Sequence, residues 1–439
     1  MATADLRYRS AVTLPAAAAL AARPAASDWR RIVAAYWLTQ LVESMGMSQV
    51  FALMPAHLRE LGMPQADRLA FVGLFSSLVF VLGLPLVPLW GVWADKVSRK
   101  AVIVRSALVE AGVFALAAAA QVPWQMAVAM LLIGFQLGNT GVMLAGIRDV
   151  TPRKRLATVI AIFGAGSPIG FALGPVLAGG LIDGLGWSIA GVYLLSAAFS
   201  IGTALLVGLG TREVRPEVIP VGSVFSLARK AMSGVLQDRD VRRLFMVYGV
   251  VFLANQISRP FTPLLVERVV GSGAGLATGI AIVMGVGALV GALVSPLAGA
   301  LGDRYGYRPV LIGALAIGAL ASLLLPFMPG VPAMAGASVL LGTATATTSA
   351  MVFSMLATEV PPERRSATLN LVYLPLYIAG IIGPATGSAL AAGAGVDGPF
   401  LLGSVVFLAG AFTIRRQRRG DARAARVARE AAREAVDAP

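Results

Sequence analysis

Glu43 stands about twelve residues from either end of an apolar stretch running from 31 to 55, where a permanently charged carboxylate costs several kcal/mol. A carboxylate is tolerated there if it faces a watery cavity or exchanges a proton, so Glu43 reads as a proton-coupling group. Tyr36, Gln40 and Met47 recur with it at helical spacing and give the stretch one mixed polar and aromatic face, a candidate wall of a substrate cavity. Further on, Asn255-Gln256-Ile-Ser-Arg259-Pro260 interrupts the apolar run 243 to 266. Aligning Pro55 with Pro263 sets Asn255 and Gln256 near mid-depth and Arg259 a turn nearer the outer face. Two readings of Arg259 stay open: a charge partner for an anionic substrate or a tuner of proton affinity, against simple snorkelling to the interface. On that alignment Glu43 matches Val251, eight residues from Arg259 or about 12 Å of helix rise, which argues against a direct pair. Gln136 and Asn139 add polar groups to the run 124 to 147, which holds no basic residue. Glu110, inside the run 101 to 120, is also costly; Arg105 is five residues away, off its helix face.

These residues have to be positioned by membrane-crossing helices. Of 439 residues 57% are hydrophobic and 13% charged, against roughly a quarter charged in soluble domains. Apolar runs long enough for a hydrocarbon core fall near 31 to 55, 69 to 93, 101 to 120, 124 to 147, 156 to 182 and 187 to 209, then 243 to 266, 276 to 301, 308 to 328, 332 to 357, 366 to 392 and 398 to 414. The expectation is an all-α membrane protein of twelve spans in two six-helix halves. It is divided into a cytoplasmic tail (1 to 30), an N-terminal half (31 to 210), a linker with an amphipathic helix (211 to 242), a C-terminal half (243 to 414) and a basic tail (415 to 439). All of the 36 Lys and Arg except Arg59, Arg68, Arg268 and Arg259 fall on one side of such a layout, so both termini are placed in the cytoplasm of a bacterial-type inner membrane. Pro15 breaks the weak apolar run of Val12 to Ala22, and the first thirty residues read as a disordered tail rather than a cleaved signal. The net charge of +14 lies in connections and tails, where it points to anionic lipid headgroups rather than nucleic acid. With no cysteine and the single histidine His57, no metal site, disulfide or cofactor is expected.

The two halves repeat each other. Gly91-Val-Trp-Ala-Asp-Lys-Val-Ser-Arg-Lys100 recurs as Gly299-Ala-Leu-Gly-Asp-Arg-Tyr-Gly-Tyr-Arg308, and Asp149-Val-Thr-Pro-Arg-Lys-Arg155 as Glu359-Val-Pro-Pro-Glu-Arg-Arg365. In the first pair Gly91 and Gly299 allow tight turning and close backbone approach. Asp95, Arg99 and Lys100, with Asp303 and Arg304 in the copy, form a polar latch between helices. The first of these loops resembles the G-x-L-A-D-R-x-G-R-K loop of the major facilitator superfamily. Gly170-Phe-Ala-Leu-Gly174-Pro175-Val-Leu-Ala-Gly179 resembles the glycine-proline element on helix 5 of its exporter branches.

That resemblance implies a secondary transporter working by alternating access, with helix 1 lining a central cavity. On this basis the chain is expected to be a monomeric, proton-coupled exporter of small lipophilic or amphipathic compounds. The competing reading is uptake or exchange of an anionic metabolite through Arg259. An intramembrane transferase and an ATP-driven pump find little support, since neither a catalytic constellation nor a G-x-x-x-x-G-K-[ST] loop is present.

Overall fold

The computed structural model describes residues 28–216, 219–237, 239–359 and 374–416, and these residues are helical apart from short connections. The N-terminal half runs Asp28–Glu60 (span 1), Gln65–Lys96 (span 2), Arg99–Ala118 (span 3), Pro123–Leu132 with Asn139–Val150 (span 4), Leu156–Gly179 (span 5) and Ile189–Gly210 (span 6). After the linker helix Val224–Gln237, the second half runs Arg239–Ser258 with Thr262–Val270 (span 7), Leu276–Ile280 with Val286–Tyr305 (span 8), Tyr307–Leu324 (span 9), Val331–Glu359 (span 10) and Leu374–Ala394 (span 11). Asp397–Arg416 is span 12. Ten of these, all but spans 1 and 7, are long and apolar enough to cross a membrane by length and composition. Spans 1 and 7 occupy equivalent places in their halves and carry the polar residues that keep them less apolar.

Helix ends reach past the apolar runs because polar residues finish the turns. Span 1 continues through His57, Arg59 and Glu60, and Ser98 starts span 3 by accepting from the Ala101 amide at 2.9 Å. Breaks follow backbone chemistry. Gly138 adopts φ 100°, which splits span 4. Pro260 lies within a single 3₁₀ turn, Arg259–Phe261, and Pro263 follows it, which splits span 7.

Packing repeats as the sequence does. Span 1 lies along span 5 as span 7 lies along span 11, and span 2 meets span 4 as span 8 meets span 10. Spans 2 and 11, and spans 5 and 8, join the halves. One end of the bundle holds residues 28 and 416 and the linker, and is called the near end; the other is the far end. The joints between halves include close contacts toward the far end. The Leu74 amide donates to Ser388 Oγ at 3.0 Å, Ser77 Oγ donates to the Ile381 carbonyl at 2.8 Å, and the Thr278 amide donates to Asp183 at 2.6 Å.

The amphipathic linker helix is present, with Ala228 buried and Arg229 and Lys230 exposed. The loop expected at 360 to 368, the expected start of span 11 up to residue 373, most of both tails and the linker residues 217, 218 and 238 lie outside the described residues.

Candidate functional site

At the near end the first repeated loop and the Asp149 loop meet on one residue. The Arg99 guanidinium, 2% exposed, holds Asp95 at 2.8 Å and Asp149 at 2.6 Å, so spans 2, 3 and 4 are tied together. Glu213 of the linker closes over the same place, accepting from the Arg99 amide at 2.9 Å and from Ser98 Oγ. Lys100 Nζ donates to the Thr211 carbonyl at 2.8 Å and Lys96 Nζ to that of Gly222. In the second half Asp303 accepts from Tyr307 Oη at 2.9 Å, one turn on. Arg304 lies over the Tyr305 ring, 5.3 Å from its centroid. The expectation of close backbone approach at Gly91 and Gly299 is corrected. Both sit inside helices, and a Cβ on either would meet open space. The turning in the second loop falls to Gly306 at φ 88°.

Deep in the N-terminal half, Glu43 is 4% exposed and accepts from Asn139 Nδ2. Ser106 Oγ, a neighbour of this pair, donates to the Gln136 carbonyl at 2.5 Å where span 4 leaves its α-helical course. Glu110 is fully buried; Ser200 Oγ lies 3.0 Å from its carboxylate, which also faces Gly46 on span 1. Arg105, which the count of loop charges had placed in the connection, stands inside span 3. Its guanidinium carbon is 3.7 Å from the Trp90 ring centroid, and its three nitrogens have no hydrogen-bond partner among the described residues. Two carboxylates and one cation, from spans 1 and 3, thus occupy the interior of this half. Sequence reasoning missed Arg105 as a site residue; its place six residues inside the helix that opens at Arg99 is the signal that could have found it.

A separate cavity of about 350 Å³ lies between the halves. Spans 1 and 5 supply Ser48, Ser167 and Phe171; spans 7, 8 and 10 supply most of the rest, including Asn255, Arg259 and Thr345. The Arg259 guanidinium reaches across to two rings of the other half, 4.5 Å from the centroid of Phe171 and 5.3 Å from that of Phe51. Asn255 Nδ2 donates to Thr345 Oγ1 at 3.0 Å. Of the residues expected in a substrate cavity, Asn255 and Arg259 line this one. Tyr36 is buried against Gly146, and Gln40 donates to Ser44 at 3.2 Å. Met47 packs on the main apolar cluster and Gln256 against Gly383. Gln136 and Asn139 belong to the Glu43 group. The expected single constellation is therefore two, joined by span 1: Ser44 Oγ donates to Ser167 Oγ at 2.9 Å, one residue on from Glu43.

The glycine-proline element on span 5 positions both. A Cβ on Gly170 would overlap the Leu41 carbonyl, and one on Gly174 would overlap Ser48 Oγ, so spans 1 and 5 touch backbone to backbone. Gly179 meets span 8 instead, where an added Cβ would lie 3.0 Å from the Ala277 carbonyl, and Pro175 lies between the two contacts.

At the far end Glu267 of span 7 is gripped by two arginines of the other half, Arg59 at 2.8 Å and Arg68 at 2.7 Å. Glu267 is a second residue that sequence reasoning passed over, because beside Arg268 it reads as part of an ordinary charged turn.

The sequence pattern of the Major Facilitator Superfamily matches residues 36–291 and again 244–437. A relative from Enterobacter lignolyticus, "Multidrug resistance protein MdtG", is 28% identical over 383 residues, 87% of this chain and 90% of that protein. The protein of that name from Salmonella paratyphi C is 27% identical over 87% of this chain and 94% of its own. Among solved structures, nucleoside transporter NupG superposes with a TM-score of 0.72 at 15% identity, covering 88% of this chain and 99% of that one. The human organic anion transporter MFSD10 gives 0.66 at 20% identity with the same coverages. The repeated halves, the polar loop closed by Arg99 and the span-wide match agree: this chain is an integral membrane transporter of the major facilitator superfamily.

Proposed function

We propose that the protein exports small lipophilic or amphipathic compounds across a bacterial inner membrane in exchange for protons, by alternating access, with both termini in the cytoplasm. The observation that carries this reading is the buried Glu43, held by Asn139 and standing on span 1, which also lines the cavity through Ser48. The name shared by the MdtG relatives supports the direction of transport. The near end is then cytoplasmic, and the far-end clasp on Glu267 makes the present arrangement the one closed to the outside. Substrate from the cytoplasm or inner leaflet occupies the cavity beneath Arg259. Glu43 takes up a proton when the cavity faces outward and gives it up when the cavity faces inward. A change in the charge of Glu43 alters its hold on Asn139 and shifts span 1. Ser44 and Ser48, one residue and about a turn and a half further along the helix, then carry the shift to Ser167 and the cavity wall. Arg105 supplies a cation to the interior of this half from span 3.

The test uses vesicles reconstituted with purified protein and an imposed pH gradient. Addition of a transported drug dissipates the gradient with wild type, and Glu43→Gln, which keeps the Asn139 hydrogen bond, lowers this exchange at least tenfold. Full gradient-driven exchange in Glu43→Gln overturns the proposal.

A further inference from the structure

The cavity between the halves has the electrostatics of an anion site. Among the described residues that line it, Arg259 alone carries a charge, and the rest are hydroxyls, amides and apolar groups such as Phe171, Met284 and Leu341. No ion pair neutralises Arg259 among the described residues. The nearest carboxylate along its own span, Glu267, has one oxygen on Arg59 and the other on Arg68. Glu43 is engaged by Asn139 in the interior of the other half, and it lies eight residues, about 12 Å of rise, from Phe51, the ring that Arg259 approaches. A guanidinium removed from water without a counter-charge is costly, and a ligand carboxylate removes that cost.

The local geometry favours the same occupant. Phe171 and Phe51 lie against the guanidinium, so the aromatic neighbours satisfy it by cation–π contact without using its N–H donors. Those donors form the fork that grips a carboxylate with two parallel hydrogen bonds. Ser258 and Thr262, near Arg259 on span 7, line the cavity; Ser258 Oγ donates to the Asn255 carbonyl at 3.4 Å, and Thr262 adds a hydroxyl. The 3₁₀ turn Arg259–Phe261 is where span 7 is discontinuous, and discontinuous spans at a cavity are the backbone arrangement with which transporters meet charged ligand groups. A cationic compound entering the same space meets an uncompensated positive charge and no carboxylate, which selects against it.

We infer that the compounds carried are amphipathic monoanions, with a carboxylate or similar group on Arg259 and the apolar body against Phe171, Met284 and Leu341. This rests on the export reading for its direction, but the recognition itself is an equilibrium property of the cavity. Its test therefore needs no gradient.

The experiment measures binding to the purified full-length protein in uncharged detergent by isothermal titration, with three probes of one shape: 2-naphthylacetate, 2-naphthylacetamide and 2-(2-naphthyl)ethylamine. Wild type is expected to bind the carboxylate at least tenfold more tightly than the amide or the amine. Arg259→Gln levels the three affinities, and Arg259→Lys keeps part of the preference. Equal or tighter binding of the amine, a preference that survives in Arg259→Gln, or no binding of the carboxylate by wild type at millimolar concentration each overturns the inference. Should Arg259→Gln fail to give a monodisperse protein, the wild-type order of the three probes decides alone. Failure here leaves proton-linked export of other compounds standing, whereas failure of Glu43→Gln to lose gradient-driven exchange strikes the export reading and leaves the anion preference intact.

Discussion

Arg99 neutralises two carboxylates from two helices with one buried guanidinium. Truncating it strands Asp95 and leaves Asp149 only the exposed Arg148 at 3.3 Å. Because Asp95 and Asp149 are 36% and 23% exposed, the cost falls below that of a fully buried broken pair, and Arg99→Ala is expected to destabilise the protein by about 2–3 kcal/mol. Arg99→Lys recovers little of it, since a lysine places one point charge where the fork serves two partners. Thermal unfolding followed by the loss of monodisperse protein checks both, and an unchanged midpoint in Arg99→Ala contradicts the account. Asp95 was legible because its type and place repeat at Asp303, and Arg99 from the resemblance of the first loop, since the copy carries Tyr307 in its place. The role of Gly91 was not: its motif position suggests a tight approach, but the helix continues through it and leaves open space beside it. Arg105 shows the converse difficulty. Counting positive charges assigned it to a loop, although it stands six residues inside the helix that opens at Arg99, and the Trp90 ring on the neighbouring span holds the cation inside.

Spans 1, 5 and 7 carry most of the chemistry, and each is marked by a departure from a plain apolar helix. Span 1 has its carboxylate, span 5 its closely spaced glycines and span 7 its proline-containing turn. All three departures are visible in the chain. What joins them is not, because the partners lie in the other half. Arg59 and Arg68 were visible as two of the few cations opposite the basic side, but their meeting on Glu267 depends on how the halves lean together. That meeting is a clasp, and releasing it is expected to favour the arrangement opened at the far end. Glu267→Gln weakens both pairs at once, and a loss of about 1.4 kcal/mol is a tenfold change in the ratio of the two arrangements. The natural chain has no cysteine, so spin labels at Gln65→Cys and Ser272→Cys, both exposed at the far end, report the separation cleanly. The distance distribution is expected to gain a longer component in Glu267→Gln; an unchanged distribution rules the clasp out as a determinant of state.

Across the whole molecule the fold was readable because two halves repeat the same loops and apolar lengths, so each half corroborates the other. The cavity was not readable to the same degree. Its wall is contributed by five spans and the turn that ends span 9, and a helical face cannot be assigned to a cavity or to a neighbour until the packing is known; Gln40 and Gln256 illustrate this by turning toward Ser44 and Gly383. One feature of that wall reaches beyond binding. Arg259 is the sole charge among the described residues around the cavity, so an empty cavity is positive and one holding a monoanion is neutral. A transmembrane voltage acts on charge displaced through it, about 2.3 kcal/mol per elementary charge for each 100 mV. On the export reading proposed above, Glu43 has given up its proton on the outward step, so Glu43, Arg259 and the monoanion together carry one net negative charge, whereas on the return Glu43 is protonated and the empty carrier keeps the positive charge of Arg259. An interior-negative potential then favours both steps, pushing the loaded carrier outward and drawing the vacant one back. Vesicles without substrate are expected to show a small transient current on a voltage step; the anionic probe suppresses it and Arg259→Gln abolishes it.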